Sequence, residues 1–237
     1  MEAARKVYHA ELRAARRAKA RAQNEPPRLT LGEEVFNAVS HGAGGLLAVA
    51  ATVLLLLRSH TGMEVLATCF YGISMTVMMF MSGVYHAMPT GSTAKRVLRR
   101  FDYTSIYLLI GGTFAPILLV YKGGRVGITI FCIQWGVILF GVTMVAIFGP
   151  GRWRALHFTL YFLIGWSGLM FIPDFYANAR PLLWLILAGG LVYTLGMIPF
   201  VRSRKYDHCI WHVFVLAGTM LQFFAVLFYV IPHGTAA

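Results

Sequence analysis

Residues 207–222 read DHCIWHVFVLAGTMLQ and open an apolar run that continues to about residue 231. A run of that length predicts a membrane-crossing helix, and on a helix His208 and His212 stand one turn apart on one face. Two imidazoles so related are a ready pair of metal ligands. A neutral imidazole binds a divalent cation through one ring nitrogen while the other is held by a hydrogen bond, a mode that suits zinc first among the common metals. The same H-x-x-x-H spacing also fits two buried, hydrogen-bonded histidines, so the metal reading depends on what other segments bring to the same place.

Working outward, the 237-residue chain is 58% hydrophobic and 13% charged, too apolar for a soluble domain of its length. Seven segments of spanning length are legible, at about 33–58, 62–88, 101–121, 126–148, 155–173, 181–201 and 208–231. The expectation is an all-α membrane protein, a seven-transmembrane helix bundle spanning 33–232, between a basic tail at 1–32 and a short external tail at 233–237. A net charge of +12 would suggest nucleic acid in a soluble chain. Here the distribution decides otherwise. Assigned to alternate sides of the bilayer, 17 of the 21 Lys and Arg residues fall on the side of the N-terminus and four on the other. The membrane helices as read contain no basic residue. The positive-inside rule then predicts a cytoplasmic N-terminus and, with seven spans, an external C-terminus. Membrane lipids, not nucleic acid, are the expected surroundings and partners.

Residues 1–24 are rich in Ala and Arg, with Val7, Tyr8 and Leu12 as the main large apolar residues, and Pro26-Pro27 ends any helix there. Two readings apply: a cationic helix on the anionic inner leaflet, or a solvated, partly disordered tail, which the thin apolar stripe favours. No signal-peptide core follows, so cleavage is not expected. Cys69, Cys132 and Cys209 all lie in predicted helices, an odd number that gives no disulfide framework. Cys209 points about 100° away from His208 and reads as packing.

The remaining polar residues follow the spans. Glu33 and Glu34 open the first span, where carboxylates suit the helix dipole, and Asn37 and His41 follow at helical spacing, facing the bundle interior. The second span ends in MSGVYHAM, with Ser82 and His86 four residues apart. The third begins FDYTSIYLL, with Asp102 read as lying in its first turn, where a cap or an ion pair with Arg99 or Arg100 would explain it. His157 in the fifth span reads as a lone interfacial hydrogen-bonder. Gly189, Gly190 and Gly196 in the sixth read as packing positions.

Topology then does what spacing alone does not. The second span ends, and the third and seventh begin, on the same side of the membrane. His86, Asp102, His208 and His212 therefore share one depth, and burying them unpaired would be costly. Three imidazoles and an open position are the pattern of a catalytic zinc site. We read His86, His208 and His212 as metal ligands, Asp102 as proton acceptor for a water of lowered pKa, and Ser82 as orienting Asp102 or donating to a developing oxyanion. A structural zinc that staples the helices stands beside this reading.

At these residues the chain resembles the hemolysin III family, the bacterial branch of the progestin and adipoQ receptor superfamily. The stretches that carry the resemblance are EEVFNAVSHGAGG, SGVYHAM, LRRFDYTSIYLLIGGTFAP, LAGGLVYTLGMIPF and HCIWHVFVLAGTMLQFFAV, together covering about 33–226. It implies a seven-helix bundle in the bacterial plasma membrane, with a cytoplasm-side zinc on the positions of His86, His208 and His212 and with Ser82 and Asp102 behind them. It also implies kinship with adiponectin receptors, which are associated with ceramide hydrolysis, while the bacterial members are named for cytolysis and linked to membrane homeostasis. Gln222 departs from relatives that carry a further histidine there. Three functions follow as expectations: a zinc-dependent hydrolase of a lipid amide or ester, a pore-forming or cytolytic protein, and a membrane-homeostasis regulator or receptor with a structural zinc. The small number of polar residues outside the inner cluster weighs against an aqueous pore.

Overall fold

The first three spanning helices begin where a Thr or Ser side chain supplies a partner for a free amide group. Thr30 accepts from the Glu33 amide while the Glu33 carboxylate accepts from the Thr30 amide, and Thr61 and Glu64 repeat the exchange. These two reciprocal boxes start helices α2 (Leu31–Arg58) and α3 (Gly62–Ala87) in a computed structural model that describes residues 1–231. The external tail read at 233–237 lies outside the described residues. Regular structure among the described residues is helical throughout: α1 (Glu2–Asn24), α2, α3, α4 (Thr93–Pro116), α5 (Gly124–Phe148), α6 (Arg154–Gly165), α7 (Ile172–Asn178), α8 (Arg180–Arg202) and α9 (Asp207–Tyr229). Seven helical stretches are long and apolar enough to cross a membrane, as the sequence predicts.

Three boundaries differ from the sequence reading, each for a local reason. Ser92 caps a helix by accepting from the Lys95 amide at 3.1 Å, so α4 starts at Thr93 and the basic stretch taken for a loop is its first two turns. Lys95 is thereby placed on a spanning helix, fully buried, which corrects the expectation that these helices carry no basic residue. The fifth span breaks into α6, a 3-10 turn at Ser167–Phe171 and α7, between Gly165 and Pro173. Finally, the N-terminal stretch is a helix up to Asn24 and not a loose tail. It stops before Pro26-Pro27, and its end is pinned by Asn24, whose amide donates to the Phe148 carbonyl and whose oxygen accepts from the Gly151 amide, both at 2.9 Å.

Around the bundle, α2 lies between α3 and α9, α4 packs on α3 and α5, α6 touches α4 and α5, and α8 lies along α9. Large apolar residues such as Leu46, Leu57, Ile133, Leu163 and Ile198 are exposed on the outer faces, the surface a bilayer would cover. Small residues set the close approaches. A Cβ at Gly83 of α3 would stand 3.1 Å from the Gly42 amide of α2, so the two backbones meet directly just beside Ser82 and His86. On α8, Gly196 seats against the Cβ of Phe214 and Gly189 against Gln222, which accounts for those glycines as packing positions.

Candidate metal centre

His86 ends α3 and the pair His208 and His212 opens α9, so antiparallel helices bring the three imidazoles to one end of the bundle. One ring nitrogen from each lies within 4.8 Å of the others, close enough to hold a metal ion. His86 Nε2 and His208 Nε2 stand 3.1 Å apart. In a tetrahedral site with metal–nitrogen bonds of about 2.0–2.1 Å, neighbouring ligand nitrogens are separated by about 3.3 Å, so the His86–His208 pair already stands at the spacing of two ligands, with the His212 nitrogen within 4.8 Å of both. His86 and His212 are almost completely buried and His208 is partly so. Among the described residues no carboxylate or thiol joins this cluster, which leaves three nitrogen donors; Cys209 is turned away, its thiol 3.9 Å from the Glu33 carbonyl.

What stands behind His86 was not legible in the sequence. The Glu34 carboxylate accepts from His86 Nδ1 at 2.7 Å, and its other oxygen lies 2.8 Å from the Lys95 ammonium. Lys95 also donates to the carbonyls of Tyr85 and Met88, at 3.3 and 3.0 Å, where the end of α3 leaves acceptors free. Lys95 balances the charge of the Glu34 carboxylate. With the Nδ1 proton committed to Glu34, His86 is fixed in the tautomer whose Nε2 lone pair faces the other two rings. Glu33 and Glu34, read alike as dipole partners, are thus different: Glu33 is a cap that also accepts from the Tyr206 amide at 2.7 Å, and Glu34 belongs to the histidine site.

His41 was also underread. Its ring stacks on that of His212, centroids 3.7 Å apart and planes 24° from parallel, and neither of its nitrogens has a hydrogen-bond partner. The signal available in the sequence was the E-x-x-N-x-x-x-H spacing from Glu34 to His41, which puts Glu34, Asn37 and His41 on one face of α2.

Asp102 lies beside Ser82 and in the electrostatic neighbourhood of His86, Arg99 and Lys95. Because α4 begins at Thr93, Asp102 is in its third turn, about 13 Å along the axis from the start. The first-turn cap expected for it is therefore ruled out, and Ser92 holds that role. His157 is not part of this site. It is buried elsewhere, its Nδ1 2.9 Å from the Tyr107 hydroxyl.

An apolar cavity of about 130 Å³ lies near the histidines, none of which lines it. Met78, one turn from Ser82, and Val215, three residues beyond His212, line its near end with Phe200 and Trp211. The Phe200 ring centroid is 5.9 Å from that of His208 and 5.0 Å from that of Trp211. The cavity runs between the fifth and sixth spans, where Trp166 Nε1 donates to Thr194 at 3.2 Å. Gln222 is in its wall and donates to the Ile186 carbonyl at 3.1 Å, a helix-to-helix bond away from the imidazoles.

Comparison with known proteins agrees with this architecture. The family profile described as "Haemolysin-III related" matches residues 29–223. The chain is 35% identical over 208 residues to "Hemolysin-3" of Bacillus cereus, covering 86% of this chain and 94% of that protein. It is 33% identical over 205 residues to "Hemolysin-3 homolog" of Bacillus subtilis (strain 168), covering 84% and 95%. A more distant similarity, 23% over 212 residues, covers 87% of this chain and 88% of the human "Monocyte to macrophage differentiation factor".

Proposed function

The chain belongs to the haemolysin-III related family of multi-pass membrane proteins, and from that premise we propose that it is a zinc-dependent intramembrane hydrolase of a lipid amide or ester, with its site at the cytoplasmic face. The observation that carries the reading is the Lys95–Glu34–His86 relay behind a cluster of three imidazoles, with an apolar cavity beyond Phe200 and Trp211. A buried carboxylate, balanced by a buried ammonium and spent on one imidazole nitrogen, is the support expected for a metal-ligating histidine.

Zinc held by His86, His208 and His212 would supply a Lewis acid for a scissile carbonyl and acidify a water molecule. The chain's own residues do the rest. Glu34 and Lys95 hold His86 in one orientation and one tautomer. Asp102 accepts the proton of the attacking water, and Ser82 orients the Asp102 carboxylate. The apolar cavity takes the acyl part of the substrate and keeps bulk water from the reacting carbon, with Phe200 and Trp211 at the junction between cavity and imidazoles.

A second reading, a structural ion, has one observation in its favour. The three imidazoles come from α3 and α9 alone, so a cation would tie those helices across the face of α2. Asp102→Ala separates the two. Under the catalytic reading, purified protein keeps its zinc and loses lipid turnover by about 10²–10⁴-fold; unchanged turnover with zinc retained leaves only the structural role. An aqueous pore is disfavoured by the cavity walls, which are almost entirely apolar.

A further inference from the structure

Four arginines surround a groove of about 830 Å³ between the end of α1, the first turns of α4 and the end of α5, on the same end of the bundle as the histidines: Arg21, Arg96, Arg100 and Arg152. We propose that this groove binds the headgroup of one anionic phospholipid from the adjoining leaflet.

Three of the four guanidinium groups are held in place, and one of them is paired with a carboxylate. Arg96 donates to the Gly91 carbonyl at 2.8 Å and to the Thr93 hydroxyl at 2.9 Å, and Arg100 donates to the Ala146 carbonyl near the end of α5. Arg152 lies over the rings of Phe148 and Trp153, 5.2 and 4.6 Å from their centroids. The carboxylate paired with one of them is Glu25, 3.7 Å from Arg96. Among the described ion pairs none engages Arg21, Arg100 or Arg152. Four cations, three of them held by such contacts, against one carboxylate leave a surplus of positive charge with donors free for phosphate oxygens.

The groove is also built, not a gap between loose segments. The bonds from Asn24 to Phe148 and Gly151 fix the α1 wall. Gly149, at φ +81°, and Gly151 leave room for it: a Cβ at Gly149 would sit 2.2 Å from Asn24 Oδ1, and one at Gly151 would meet the Gln23 carbonyl.

Position and walls choose the anion. The charged rim is at the ends of spanning helices, where a bilayer's headgroups lie. From the rim, Phe101 and Ile147, 52% and 62% exposed, continue the groove onto the apolar flank of the bundle. A free phosphate would use only the rim, whereas a phospholipid uses both, its phosphodiester among the arginines and its chains along α4 and α5. A choline or ethanolamine group would set its own cation against four guanidiniums, so the favoured lipid carries net negative charge.

Native mass spectrometry on the purified full-length protein in neutral detergent tests this with dioleoyl-phosphatidylglycerol, dioleoyl-phosphatidylcholine and inorganic phosphate as probes. The wild-type chain should retain phosphatidylglycerol in preference to phosphatidylcholine by tenfold or more. Each arginine near the surface contributes roughly fivefold, so R21Q/R96Q/R152Q should weaken phosphatidylglycerol on the order of a hundredfold, while the charge-keeping R21K/R96K/R152K retains most of it. Equal retention of the two lipids by the wild type, which needs no variant to fold, overturns the proposal. So does undiminished phosphatidylglycerol on the glutamine variant. Displacement by inorganic phosphate at concentrations comparable to the lipid's would reassign the groove to a small anion and overturn the phospholipid claim.

Discussion

Two buried histidine sites in the same bundle invite comparison. At the junction of α4 and α6, His157 meets the Tyr107 hydroxyl at 2.9 Å, Tyr161 packs on Tyr107 with centroids 4.4 Å apart, and no carboxylate or ammonium is bonded to the imidazole. At the junction of α2, α3 and α9, three imidazoles converge and the innermost is backed by Glu34 and Lys95. A neutral phenol pairs with one nitrogen of that imidazole and brings no charge with it. A fully buried lysine and its carboxylate are costly to keep, and among the described residues the one fully buried lysine stands beside the convergent histidines. The difference teaches that burial of a histidine is no sign of a site, whereas charge placed behind it is.

The largest effect expected from breaking this contrast is on metal content. His212→Ala should reduce bound zinc from about one per chain to near zero, and His157→Ala should leave it unchanged. Elemental analysis of both purified variants is the check, and zinc loss in both would dissolve the distinction. Next, Glu34→Gln removes the anionic acceptor from His86 and should weaken zinc binding about 10–100-fold in a chelator competition. Lys95→Met leaves Glu34 buried without its cation and the end of α3 without its donor. It should destabilise the fold by about 3–5 kcal/mol, measured as detergent-solubilised thermal unfolding, with zinc restoring part of the loss. The smallest effect is expected at the other site. Tyr107→Phe removes one buried hydrogen bond and leaves His157 Nδ1 unpaired, about 1–3 kcal/mol of stability with zinc content intact.

The legible and illegible parts of the site divide along a physical line. His208 and His212 were readable because one helical turn relates them, and Ser82 and His86 for the same reason. Glu34 was not, because it acts on a residue 52 positions away, and nothing local separates it from Glu33. Asp102 reads from the sequence as a first-turn residue, whereas it lies in the third turn of α4. The Ser92 cap that starts α4 early competes with a hydropathy boundary that lies further along, since the first turns are rich in Lys and Arg yet helical. The break in the fifth span was missed because Gly165 and Gly168 are as common in intact membrane helices as in broken ones.

The sequence by itself determined the seven spans, the family and the two local pairs of site residues, since apolar run length and helical periodicity are properties of neighbours in the chain. Only the tertiary structure decided that Glu34 and Lys95 serve His86, that His41 stacks on His212 and that a cavity lies near the imidazoles. Each of these depends on how far one helix slides and turns against another, and that is set where the backbones touch, as at Gly83 and Gly42. No pattern within a single helix encodes that register.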